Sequence, residues 1–141
     1  MESTASTGGA YGVQVLIAGR QKHWRDEVAS QIRRAGYSAT TVDSGVDAMT
    51  VLALGLPVDV LVTDADVRDE VDGFSLGAVA RCLDPAVGVI YTTRSPRTLP
   101  AAIVAGAPCL RTPYHAHQLV SLIAGLPRPT VRGRGAARRA A

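Results

Sequence analysis

The sequence feature that most constrains the fold is a short apolar segment, residues 57–64, that ends in a carboxylate. Its apolar residues stand at nearly consecutive positions, so both faces are apolar: Val58, Val60, Leu61 and Val62. This pattern is typical of a central strand in a parallel sheet that helices cover on both faces. In such sheets, groups just beyond the carboxyl ends of the strands line the binding crevice. The segment therefore predicts that Asp64 lies at the binding edge.

Strand-like and helix-like segments alternate along the rest of the chain. The other predicted strands are residues 13–18, 38–42 and 87–92 and a very short strand centred on Leu110. Apolar residues at helical spacing predict the first two helices: Trp24, Val28, Ile32 and Ala35, then Val46, Met49, Leu52 and Ala53. Three further helices are predicted at residues 73–83, 101–105 and 115–125. Gly36 is predicted to end the first helix, and Ser44 with Asp47 to cap the second.

Five strands that alternate with five helices predict an α/β fold with a doubly wound parallel sheet. Right-handed crossovers favour the flavodoxin-like strand order 2-1-3-4-5 at this size. Strands 1, 3 and 4 are then neighbours. We expect their carboxyl ends to gather Gly19 and Arg20, Asp64, and Thr92 or Thr93 around one crevice.

The 141 residues provide for one folded domain, which we predict at residues 13–126. Residues 1–12 are interpreted as a loose leader, because they have neither the basic nor the apolar region of a secretory signal. No apolar run approaches the about 20 residues that a membrane span requires. Cys82 and Cys109 are interpreted as buried free thiols of a cytoplasmic protein.

Residues 127–141 are predicted to form a disordered tail, since they are rich in Pro, Gly and Arg and contain no acidic residue. Its basic residues are Arg128, Arg132, Arg134, Arg138 and Arg139. One interpretation is weak electrostatic contact with nucleic acid or an acidic partner. The alternative is a terminus whose composition has no function. The tail lacks the interleaved aromatic residues that would stack on bases.

Several fragments, in order, give the chain a resemblance to a known family. They are Val15-Leu16-Ile17-Ala18, Ala35-Gly36-Tyr37, Ser44-Gly45, the strand that ends in Asp64, Asp72-Gly73-Phe74, Val89-Ile90-Tyr91-Thr92-Thr93, Gly106-Ala107 and Pro113-Tyr114. Over residues 13–126 the sequence resembles the receiver domain of bacterial two-component response regulators. The resemblance implies a phosphorelay function in which a histidine kinase phosphorylates an aspartate at the end of the third strand.

The same resemblance implies roles for five positions, of which two match. Asp64 matches the phosphoryl acceptor, and Thr93 matches the hydroxyl that contacts the phosphate and sets the signalling state. The two acidic residues that would help to hold Mg²⁺ are replaced by Gly19 and Arg20. The usual lysine before a proline is replaced by Thr112, and the small residue after the switch hydroxyl is replaced by Arg94.

These departures predict an impaired metal site. Only Asp64 and Asp66 stay as candidate ligands, and Mg²⁺ gives up its water reluctantly to so few carboxylates. We therefore expect no cofactor, and Mg²⁺ only if the site is still competent. Arg20 has two interpretations, an outward surface residue or a guanidinium that forms an ion pair with Asp64.

Two other polar clusters are not interpreted as metal-binding sites. The acidic run from Asp64 to Asp72 departs from the EF-hand pattern at Arg68 and Asp69, so a solvated loop is favoured. His115 and His117 are interpreted as surface residues.

Three functional hypotheses follow. The first is a pseudo-receiver that acts through protein contacts, the second a phospho-competent receiver, and the third a nucleic-acid-associated protein that acts through its tail. None is an enzyme beyond phosphorylation of its own Asp64. The expected partner is a histidine kinase or another signalling protein, which the family binds at the face of helix 4, strand 5 and helix 5.

Overall fold

A sheet of five parallel strands forms the centre of the computed structural model, which describes residues 13–65, 73–94 and 107–126. In chain order the strands are β1 (Gln14–Ala18), β2 (Ser38–Val42), β3 (Val60–Asp64), β4 (Gly88–Thr93) and β5 (Cys109–Arg111). Their spatial order is β2-β1-β3-β4-β5, and each neighbouring pair is parallel. The predicted flavodoxin-like order 2-1-3-4-5 is confirmed.

The described helices are α1 (Lys22–Arg34), α2 (Gly45–Ala53), α3 (Gly73–Leu83) and α4 (Ala116–Gly125). The predicted helix at residues 101–105 lies outside the described residues, so α4 corresponds to the predicted fifth helix. The predicted leader and tail also lie outside them, and the domain boundaries stay predictions. Among the described helices, none has the length and apolar character needed to cross a bilayer.

Local sequence signals explain where α2 begins and where α1 and α2 end. The Ser44 hydroxyl accepts a hydrogen bond from the backbone N–H of Asp47 (3.1 Å), as predicted for the cap of α2. Gly36 follows α1 with a φ of 97°, a left-handed conformation that glycine adopts without steric cost. Gly55 does the same after α2, with a φ of 76°. After these turns the chain returns to the sheet, with α1 packed against one face and α2 against the other.

The sheet separates two apolar clusters. The first packs α1 and α4 against one face and includes Val15, Ile17, Val28, Ile32, Val60, Val62, Ile90, Leu119 and Ile123. The second packs α2 and α3 against the other face and includes Leu16, Ala18, Ala48, Leu52, Leu61, Leu76, Ala80, Val89 and Tyr91. Alternate residues of β3 enter opposite clusters, which is why this strand is apolar on both faces.

Two sequence-based interpretations of burial are wrong. Cys82 and Cys109 are free thiols, as predicted, but both are exposed. Cys82 lies near the end of α3, and Cys109 belongs to a three-residue strand of which only Leu110 is buried.

The predicted apolar stripes of the first two helices are wrong at three positions, since Ala35, Val46 and Ala53 are exposed. Val46 is 43% exposed, whereas α2 turns Ala48 and the predicted Leu52 inward.

We predict that Gly77→Ala destabilises the fold because α3 packs tightly on Tyr91. A Cβ at Gly77 would lie 2.8 Å from Cζ of Tyr91, and this ring is fully buried. Overpacking of this kind costs about 1–3 kcal/mol in the free energy of unfolding. Urea unfolding followed by circular dichroism measures the change.

Gly125→Ala is the matched control, since no atom lies within 4 Å of the Cβ that it adds to α4. The higher helix propensity of alanine should raise stability there by up to about 0.5 kcal/mol. Equal effects of the two substitutions would contradict tight packing between α3 and Tyr91.

Candidate functional site

Three of the predicted site residues lie at the carboxyl ends of neighbouring strands. Asp64 ends β3 and is half-buried, Thr93 ends β4 and is buried, and Thr112 follows β5. Backbone hydrogen bonds join these ends: Ala65 N–H donates to Thr92 O (2.8 Å), and Thr112 N–H donates to Thr93 O (2.9 Å). The structure brings these positions to one edge of the sheet, whereas their roles in phosphoryl chemistry stay predictions.

The first residue of α3 packs directly against the end of β3. A Cβ at Gly73 would lie 2.6 Å from the carbonyl carbon of Asp64, so no larger residue fits this position without movement. The buried hydroxyl of Thr63 donates a hydrogen bond to Gly73 O (3.0 Å) and completes the junction. These contacts therefore fix the position of the Asp64 backbone relative to the start of α3.

An indole from α1 lies against Gly19 in the turn between β1 and α1, at one of the two positions where the family pattern has an acidic residue. Gly19 is buried, and a Cβ there would lie 2.7 Å from Cε3 of Trp24. Among the described glycines, Gly36 and Gly55 have positive φ and Gly19 does not. The backbone conformation thus does not require glycine at position 19. The indole requires it, because the ring fills the space of a side chain.

The Arg25 guanidinium stabilises the same turn through hydrogen bonds to its backbone. Nη1 of Arg25 donates hydrogen bonds to the carbonyl oxygens of Gly19 and Arg20, each at 2.9 Å. A permanent positive charge therefore lies beside the two acid-pair positions, which are residues 19 and 20. The Arg20 side chain is exposed, and its ion pair with Asp64 stays a prediction.

Tyr114 lies next to Trp24 at this edge, just after the cis peptide bond between Thr112 and Pro113. Both aromatic side chains are partly buried and pack against the first apolar cluster. Burial is the main reason that the pKa of Tyr114 rises to about 12. The negative charges of Glu27 and Asp64 raise it further, and a side-chain hydrogen bond with Trp24 partly offsets the rise.

The described residues do not gather several ligands for a divalent cation. They contain no group of three or more His, Cys, Asp or Glu side chains that could hold a metal ion. Near Asp64, the acid-pair positions offer no carboxylate, and the Trp24 ring and the Arg25 charge lie there instead. Asp66, the other candidate ligand, lies outside the described residues.

The sequence predicts either Thr92 or Thr93 at the crevice, and the strand register shows which of the two lies on the same face of the sheet as Asp64. Thr92 is the cross-strand partner of Asp64, and both continue the row of side chains that faces α1 and α4. Its hydroxyl is buried and has no hydrogen-bond partner among the described residues. Thr93, the predicted switch hydroxyl, belongs to the opposite row with Val89 and Tyr91.

Sequence reasoning missed the roles of Trp24, Arg25 and Tyr114 at this edge. Trp24 was assigned to the apolar stripe of α1, and Tyr114 entered only as part of the family pattern. One signal was available, because a glycine at an acid-pair position leaves space that a large residue in the next helical turn can fill.

His115 and His117 are exposed, as predicted, and their rings stack with centroids 5.7 Å apart.

Comparisons with known proteins relate the fold of this chain to one group of solved structures. No protein-family model matches the chain, and no curated protein matches it in sequence. A response regulator receiver protein from Sinorhizobium medicae has a similar structure, with a TM-score of 0.75 and 27% identity over 79% of this chain and 91% of that one. Chemotaxis protein CheY4 from Vibrio cholerae has a TM-score of 0.69 and 20% identity over 79% of this chain and 96% of that one. A receiver domain from Clostridium thermocellum gives a TM-score of 0.70 and 21% identity over 79% and 91%. The fold is that of response-regulator receiver domains.

We predict that Asp64→Asn lowers the pKa of Tyr114 from its value of about 12. The substitution removes a negative charge that disfavours the phenolate, while burial still holds the pKa above its ordinary value. The pH dependence of tyrosinate absorbance, taken as the difference between each protein and the same protein with Tyr114→Phe, isolates this residue.

Asp47→Asn is the control, because it removes an equal charge from the exposed first turn of α2 and should leave the titration unchanged. If both substitutions shift the pKa equally, the effect reflects the net charge of the protein rather than the position of Asp64.

Proposed function

We propose that this receiver domain of two-component signalling acts as a pseudo-receiver. In this proposal it binds a histidine kinase or another signalling protein, and it does not depend on metal-assisted phosphorylation of Asp64. The observation that carries the proposal is the Trp24 ring, which lies over Gly19. The resemblance to receiver domains implies a metal-binding carboxylate at this position. Asp64 keeps the acceptor position at the end of β3.

The chemistry of phosphoryl transfer explains why this observation matters. The transferring group and the attacking carboxylate are both negatively charged, and a divalent cation normally neutralises and orients them. The Arg25 guanidinium supplies positive charge near the site, but it is engaged with two backbone carbonyls. A guanidinium donates hydrogen bonds, but unlike a metal ion it does not coordinate the attacking carboxylate and a phosphate oxygen together. Phosphorylation is therefore expected to be slow.

A partner surface is proposed on the side of β5 and α4. Cys109 and Arg111 alternate with the buried Leu110, so both are exposed on this edge strand, as are His117 and Gln118 at the start of α4. In this proposal, these residues belong to the described half of the face of helix 4, strand 5 and helix 5 that the resemblance implies for protein contacts. The predicted fourth helix, which would complete the face, lies outside the described residues.

The phospho-competent receiver is the second candidate function. One observation favours it, since Asp64 is only half-buried at the end of β3. A carboxylate in this place is accessible to a small phosphodonor. The two candidates differ in whether the acceptor is used, which intact-mass measurement tests directly.

We predict that the wild-type chain, incubated with a small phosphodonor and Mg²⁺, gains no more phosphoryl adduct than the Asp64→Asn variant. The reason is the missing charge neutralisation at the acid-pair positions. Intact mass spectrometry measures the modified fraction, and a phospho-competent receiver handled in parallel establishes that the donor is active. An adduct on the wild-type chain that Asp64→Asn abolishes would overturn the pseudo-receiver proposal and favour the second candidate.

A further inference from the structure

We propose that Trp24 is the residue that excludes a divalent cation from this site, because its indole and a metal-binding carboxylate need the same space. The inference rests on the proposed pseudo-receiver function and adds a cause to it. Lost carboxylates alone would explain weak cation binding. The geometry indicates that Gly19 and Trp24 are interlocked, so restored carboxylates do not suffice.

The first step concerns the space at position 19. A Cβ there would lie 2.7 Å from Cε3 of Trp24 and closer still to Cζ3, so both are aromatic ring atoms in the path of any side chain. Contacts of this kind require one group to move. Since the backbone of Gly19 does not have positive φ, an aspartate would be tolerated once the ring is gone.

The second step concerns what holds the indole in place. Trp24 lies in the first turn of α1 and packs against the first apolar cluster, beside the half-buried Tyr114. Arg25, the next residue, anchors the same helical turn to the carbonyls of Gly19 and Arg20. The ring would have to leave both partners to make room for a carboxylate, and such movement loses apolar contact.

The test compares three chains for cation binding: the wild type, the double variant Gly19→Asp/Arg20→Asp, and the triple variant that adds Trp24→Ala. Free Mn²⁺ measured by electron paramagnetic resonance reports affinity, and the rise in melting temperature with Mg²⁺ reports binding to the folded state. We expect the triple variant to bind Mn²⁺ at least about tenfold more tightly than the double variant.

The matched control is Gly19→Asn/Arg20→Asn/Trp24→Ala, which opens the same space with side chains of similar size but no negative charge. It should not bind Mn²⁺. Equal binding by the double and triple variants would overturn the role of Trp24 and leave the pseudo-receiver proposal intact. A folded triple variant that does not bind would also overturn it. Wild-type binding as tight as that of the triple variant would contradict both proposals.

A stability cycle tests the interlock without a metal and with smaller changes. Gly19→Ala should lower the melting temperature of the wild-type chain, because the added methyl meets the indole. In the Trp24→Ala background the same change should leave the melting temperature unchanged or raise it. Equal losses in the two backgrounds would show that the two positions are not coupled, and would overturn the inference even if the triple variant fails to fold.

Discussion

The packing of β3 on both of its faces is the constraint on which the rest of the structure depends. Val60, Leu61 and Val62 are almost completely buried, and the strand pairs with β1 on one side and with β4 on the other. A shift along the strand would carry Asp59 or Asp64 into the buried centre of the sheet, where a desolvated carboxylate is costly, so the ends of the apolar run specify the register. That register places Thr63 beside Ala18 and Asp64 beside Thr92. The site therefore exists as a consequence of core packing, before any of its polar groups interact.

This dependence explains how much could be predicted from the sequence. The alternation of strands and helices, together with the general rules of handedness, was sufficient to predict the strand order. The Ser44 cap and the Gly36 turn could be predicted because they follow from local chemistry. Exposure at the ends of elements could not be predicted in this way. Cys82 lies near a helix end and Cys109 on an edge strand, where a residue that suits the core by type need not face it.

The chemistry of the site was only half predictable, for a different physical reason. The resemblance to receiver domains implied which groups are missing at residues 19 and 20. It did not indicate what fills the space. Helical periodicity places Trp24 on the inner side of α1, but the ring reaches back over the preceding turn, toward Gly19. Side chains on helices lean toward the N-terminus, and this direction rather than the periodicity determines the contact.

Electrostatics around Tyr114 lead to the same conclusion as the packing. Without a cation, the charges of Glu27 and Asp64 add to burial in keeping the phenol neutral, with a pKa of about 12. A divalent cation bound at Asp64 would act in the opposite direction, since positive charge favours the phenolate and lowers that pKa. It would also need a carboxylate in the space that the Trp24 ring fills beside Gly19. Under the proposed interlock, the neutral aromatic pair and the cation are thus alternative occupants of one edge of the sheet, and packing against the first apolar cluster favours the aromatic pair.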